Sequence, residues 1–182
     1  YRKALEIDPD DLQVKLTVAR FYLRNDKIEN AEKAVIEIMD KRPRYFPARM
    51  LKGEIMVANR KFESAIPLFE QLIKEEPKSD RAYYFKGIAN LGKGEARSGK
   101  MDIGKAVELN PRYIKARVLL ADIYYRERNF TQAQKESEEA LALQPTNIQA
   151  KLIIGNTYMY QKKFKEAQKV FQEIIISEPD NP

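Results

Sequence analysis

The 182-residue chain contains no cysteine and no histidine. The first absence excludes disulfides and thiolate metal sites, and the second removes the commonest general base and the commonest metal ligand. Tryptophan is missing as well. No run of apolar residues is long enough to span a bilayer, and no charged-then-apolar leader is present, so membrane insertion of this segment is not expected. Because the sequence begins at Tyr1 rather than Met, part-way through a structural period, further repeats are expected to lie outside it, as would any targeting signal. These gaps disfavour most enzyme chemistries. The expectation is a non-catalytic chain with no cofactor, metal or nucleotide.

Glycine is also scarce, with seven in all, but proline is not, and six of the nine prolines keep step. Pro9, Pro43, Pro77, Pro111, Pro145 and Pro179 stand 34 residues apart. A fixed period of this length marks a repeat array that buries its core between neighbouring units. The units fall at 12–45, 46–79, 80–113, 114–147 and 148–181, after a piece at 1–11, as one array without gaps. Numbering positions from the start of each unit, column 8 reads Ala19, Gly53, Gly87, Ala121, Gly155, and column 20 reads Ala31, Ala65, Gly99, Ala133, Ala167. Small residues at both places let helices approach closely. Column 24 (Val35, Phe69, Ile103, Ser137, Phe171) and column 17 (Ile28, Phe62, Ala96, Phe130, Phe164) supply mostly large apolar plugs.

Short polar turns such as Asn25-Asp26-Lys27 and Asn59-Arg60-Lys61 divide each unit, and the proline ends it by stopping a helix. The pattern predicts an all-α fold of antiparallel helix pairs at 11–24, 28–41, 45–58, 62–75, 79–92, 95–108, 113–126, 130–143, 147–160 and 164–177. A remnant second helix is expected at 1–8. The third repeat is atypical, since Gly92, Gly94, Gly99 and Gly104 crowd into it. Its second helix is expected to be the weakest element and a candidate hinge, with Gly92 to Gly94 on the turn. Gly99→Ala is expected to stabilise it by up to about 1 kcal/mol.

Repeat five carries Ile154-Gly155 with Tyr158, then Ala167, Phe171 and Pro179. Together with the phased prolines this resembles the tetratricopeptide repeat, whose pattern runs W-x2-L-G-x2-Y, A-x3-F, P. The likeness spans the whole chain, although column 4 holds Lys15, Arg49, Tyr83, Arg117 and Lys151 where the pattern has Trp. The resemblance implies a right-handed superhelix whose concave groove is lined by the first helix of each pair, and a role as a protein-binding scaffold or adaptor. Lysine-rich repeats without Trp or Cys are also similar in style to bacterial arrays, including those tied to exopolysaccharide export or protein sorting at the cell envelope. That style is compatible with bacterial cytoplasm or periplasm and selects neither.

Columns 5, 9 and 12 of the first helix share a face by their i, i+4, i+7 spacing, and in the family they line the groove. Column 5 is Leu16, Met50, Tyr84, Val118, Leu152; column 9 is Arg20, Glu54, Ile88, Asp122, Asn156; column 12 is Leu23, Val57, Leu91, Tyr125, Met159. Two apolar columns flanking a polar one suit a protein or peptide segment with an apolar stripe. Glutamates at Leu91 and Tyr125 are expected to weaken such binding by more than about 2 kcal/mol. The Lys and Asn clamp with which some family members grip acidic chaperone tails is absent, since column 6 is Thr17, Leu51, Phe85, Leu119, Ile153. The uncovered ends, Tyr1 to Ile7 and Phe164 to Ile176, offer surface for self-association.

Other readings are weaker. Gly94-Glu95-Ala96-Arg97-Ser98-Gly99-Lys100 fits a phosphate loop, but Met101 stands where a magnesium-binding Ser or Thr is needed and no strand precedes it. Glu136, Glu138 and Glu139 read as a solvated helix face. The net charge of +6 is spread along the units rather than gathered in one stripe, so nucleic-acid binding is not expected. A pentatricopeptide-like binder of single-stranded RNA and a non-catalytic subunit of an enzyme complex remain as alternatives.

Overall fold

A computed structural model describes residues 11–177, and the expected remnant helix at 1–8, with Pro9 and Pro179, lies outside them. Ten α-helices occupy the described residues. They are α1 (Leu12–Arg24), α2 (Ile28–Lys41), α3 (Phe46–Ala58), α4 (Phe62–Glu75), α5 (Asp80–Lys93), α6 (Ala96–Leu109), α7 (Ile114–Arg126), α8 (Phe130–Leu143), α9 (Ile148–Tyr160) and α10 (Phe164–Ser177). The fold is an all-α helical repeat. Every helix lies within one residue of its expected bounds, and the shifts have a cause. The residues expected to open the first helices are N-caps: Asp11, Ser79 and Asn147 accept hydrogen bonds from the backbone N–H groups of the first turn. Tyr45 and Tyr113 hold the same place without a side-chain cap.

Two backbone devices recur. At each of the four phased prolines among the described residues the N–H of residue i+3 donates to the carbonyl of i, Tyr45 to Arg42, Ser79 to Glu76, Tyr113 to Asn110 and Asn147 to Gln144, with proline at i+1. Its fixed φ suits that position of a tight turn. Between the paired helices, column 15 takes a left-handed conformation at Asp26, Arg60, Gly94, Arg128 and Lys162. The following residue closes the motif, Lys27 N–H donating to Tyr22 O, Lys61 to Met56 O, Glu95 to Asn90 O, Asn129 to Tyr124 O and Lys163 to Tyr158 O. Otherwise unpaired helix-end carbonyls are thereby satisfied.

The chain divides into two compact units, residues 1–99 and 100–182, with the division inside α6. In unit 1, α1 packs on α2 and α3 on α4, α2 and α4 each lean on the helix that follows, and the first helices α1, α3 and α5 touch in succession. Leu16, Ala19, Val35, Ile38, Leu51 and Ile55 form one core, and Met50, Phe69, Leu72, Ala82 and Ala89 a second. In unit 2, α7 and α8, then α9 and α10, pair in the same way, and α7 touches α9. Val118, Ala121, Ala133, Ala140 and Ile153 lie at its centre.

Column 4, the place of the family's tryptophan, carries ion pairs in repeats two, four and five. Arg49 reaches Glu75, Arg117 Nη1 lies 2.6 Å from Glu136 Oε2, and Lys151 Nζ lies 3.9 Å from Glu173 Oε2. Each joins the first helix of a repeat to its second.

Two glycine expectations need correction. Gly92 is not on the turn but inside α5, where a Cβ would stand 2.4 Å from the Phe62 ring. At Gly99 a Cβ would stand 2.6 Å from Leu91 Cγ and 3.0 Å from the Gly87 carbonyl oxygen. Close approach outweighs helix propensity there, so Gly99→Ala is expected to destabilise by about 1–3 kcal/mol. The expected gain belongs to Gly104, which is also helical but has open space around it. Gly104→Ala should stabilise by about 0.5–1 kcal/mol in urea unfolding. Opposite signs for the two variants check this account; two gains would mean that α5 and α6 separate freely.

Candidate functional site

The expected groove residues do not share one environment. Leu16, Met50 and Val118 are 2%, 4% and 7% exposed and belong to the packed cores, whereas Leu152 in the same column is 41% exposed. Tyr84 is half-buried, and loss of water raises its hydroxyl pKa. In column 12, Leu23, Val57, Leu91 and Tyr125 are half-buried and Met159 is exposed. Leu23 and Val57 lean on the cores of unit 1. Leu91 faces Gly99 across the α5–α6 contact, and Tyr125 leans on the unit 2 core with its ring 5.9 Å from Phe130. Glutamate at Leu91 or Tyr125 would therefore carry a folding cost besides any effect on a partner.

The polar column is where side chains from different helices meet. Arg81 Nη2 on α5 lies 2.8 Å from Glu54 Oε2 on α3, a carboxylate that is itself buried. Arg20 on α1 is electrostatically coupled to both. Burial and then the nearby Arg81 push its pKa below the usual arginine range, Glu54 opposes them, and Arg24 adds to the lowering. Gln13 Nε2 donates to the Tyr45 hydroxyl at 2.7 Å on the same side of α1. Ile88 is half-buried and Asn156 exposed. In unit 2 the column-9 Asp122 accepts from Arg126 at 2.8 Å, one turn along α7.

Sequence reasoning missed Arg81. It stands at column 2, and the i, i+3, i+7 spacing from 81 to 84 and 88 puts it on the groove face, so a cation at that column was the available signal.

The phosphate-loop look-alike has other uses. Gly94 caps α5 in the left-handed conformation, and Lys100 pairs with Glu127 while its Nζ lies 5.0 Å from the Tyr124 ring centre. Glu136 is the partner of Arg117, and Glu138 accepts from Gln134. No described helix is long and apolar enough to cross a membrane.

Comparison with known proteins places this architecture. A tetratricopeptide-repeat family model matches residues 51–96, and a model for the anaphase-promoting complex, cyclosome, subunit 3, matches residues 103–174. No curated protein matches. Among solved structures, PilF of Pseudomonas aeruginosa superposes with a TM-score of 0.78 at 18% identity, over 99% of this chain and 82% of that one. MamA of Desulfovibrio magneticus RS-1 gives 0.74 at 18% identity, over 94% and 97%. YrrB, described as a tetratricopeptide protein with an unusual peptide-binding site, gives 0.67 at 19% identity, over 99% and 93%. Identities this low speak to the fold alone. The repeat-family model matched at residues 51–96, within that shared architecture, supports a tetratricopeptide-repeat protein.

Proposed function

We propose that the chain is a protein-interaction scaffold that holds an apolar or amphipathic polypeptide segment along the first-helix faces of its repeats. The observation that carries this reading is the succession of first helices in direct contact, which makes one continuous face within each unit. On that face columns 9 and 12 retain accessible surface except at the buried Glu54, and Leu152 and Met159 are exposed outright. Column 5 contributes little in repeats one, two and four, where Leu16, Met50 and Val118 are packed. The peptide-binding site attributed to YrrB, on the same fold, is consistent with this role. Arrays of this family are generally non-catalytic, and the function is one of binding.

Selection of short peptides from a displayed random library on the full chain tests the proposal. Affinity should fall by about tenfold or more for Ile88→Glu in unit 1 or for Leu152→Glu with Met159→Glu in unit 2. Reversal of Glu139 on the outer part of α8 should leave it unchanged. Absence of selected peptides, or binding indifferent to both groove variants, would sink the reading.

A further inference from the structure

Arg20 is the cation that the scaffold reading leaves unaccounted for. It makes no ion pair or hydrogen bond with any described residue, and its Nε is shut away from water without a partner. The carboxylate that acts on it, Glu54, is turned toward Arg81. Asp80 next door accepts from the backbone N–H of Arg81 at 2.7 Å. Two further guanidiniums, those of Arg81 and Arg24, thus act on Arg20 against the single carboxylate of Glu54. Partial burial of an unpaired cation is unfavourable unless an anion compensates it. The planar fork of arginine matches a carboxylate with two parallel hydrogen bonds. One turn along the same helices, Leu23 and Val57 provide apolar surface beside the charge.

We propose that Arg20, with Arg24 and Arg81 beside it, holds a carboxylate of the polypeptide segment bound on this face. The proposal rests on the scaffold reading and sharpens it, because an amphipathic segment would bring one acidic group to Arg20 and apolar side chains to Leu23 and Val57. The constellation uses arginines at columns 9 and 13 of the first repeat and column 2 of the third, with no lysine or asparagine, so it differs from the chaperone-tail clamp that the sequence lacks. The carboxylate belongs to an Asp or Glu side chain or to a peptide C-terminus, and both present the same two oxygens.

Peptides selected on the full chain from the random library are synthesised and titrated by fluorescence anisotropy in three forms: unchanged, with each Glu or Asp made Gln or Asn, and with the C-terminus amidated. One of the two neutralised forms should bind about tenfold or more weakly, and which one it is assigns the source of the carboxylate. Arg20→Gln, which keeps the aliphatic stem as far as Cδ and removes the charge, should cost about as much, and its loss should not add to that of the neutralised peptide, because both remove one interaction. The peptide arm needs no protein variant, so a folding defect in Arg20→Gln does not spoil the test. Peptides that depend on Ile88 but tolerate neutralisation would sink this inference and leave the scaffold reading standing. Peptides indifferent to every groove substitution would sink both.

Discussion

Arg117→Ala is expected to lower the stability of unit 2 by about 3 kcal/mol, the low end of what removing one partner of a buried ion pair costs. The side chains of Arg117 and Glu136 are each 12% exposed, so water compensates little for the loss. Arg117 also donates from Nε to the Pro111 carbonyl at 2.6 Å, which ties the proline turn to the helix pair it introduces. Replacing both partners by leucine should recover most of the loss, since the penalty comes from the stranded carboxylate rather than from the absence of a favourable pair. Urea unfolding with hydrogen exchange of α7 and α8 reads both variants. A single-variant effect under about 0.5 kcal/mol would mean that the pair behaves as an exposed one.

Phe69→Ala should cost about 3–5 kcal/mol, as expected for emptying a fully buried aromatic site. The more telling variant is its neighbour. A Cβ on Gly53 would stand 2.6 Å from the tip of the Phe69 ring, so Gly53→Ala should destabilise by about 1–3 kcal/mol through overpacking. Gly53→Ala with Phe69→Val should cost clearly less than the two single changes summed. The first repeat already uses that pair, Ala19 with Val35, both buried in one core. Repeat five repeats the larger solution, with a Gly155 Cβ 2.5 Å from the Phe171 ring. Additive losses would show that columns 8 and 24 do not share one volume.

This exchange of volume was legible in the sequence, where glycine accompanies phenylalanine or isoleucine and alanine accompanies valine or serine across the two columns. The helices were legible for a similar reason, because six phased prolines and two small-residue columns leave one register. The caps were not used, although Asp11, Ser79 and Asn147 all belong to the residue types that accept first-turn hydrogen bonds. The groove was legible as a face but not as a surface. Spacing gives Leu16 and Leu152 the same column, yet 2% and 41% exposure separate them. An apolar column serves equally well for packing between repeats and for holding a partner, and periodicity is the same in both cases. The meeting of Arg20, Glu54 and Arg81 escaped because it joins three repeats through long side chains.

The left-handed turn residue at column 15 has a consequence for handedness at the level of the single residue. An L side chain in that conformation is strained by about 1–2 kcal/mol, and only Gly94 among the five avoids it. The mirror relation reverses the sign for a D-amino acid, for which the same backbone angles are the ordinary helical ones. The chain therefore contains four sites, Asp26, Arg60, Arg128 and Lys162, at which inverted stereochemistry fits the fold better than the genetic code allows. A semisynthetic chain with D-arginine at position 60 should unfold at a higher urea concentration than the L form, while D-residues one position to either side should unfold it earlier.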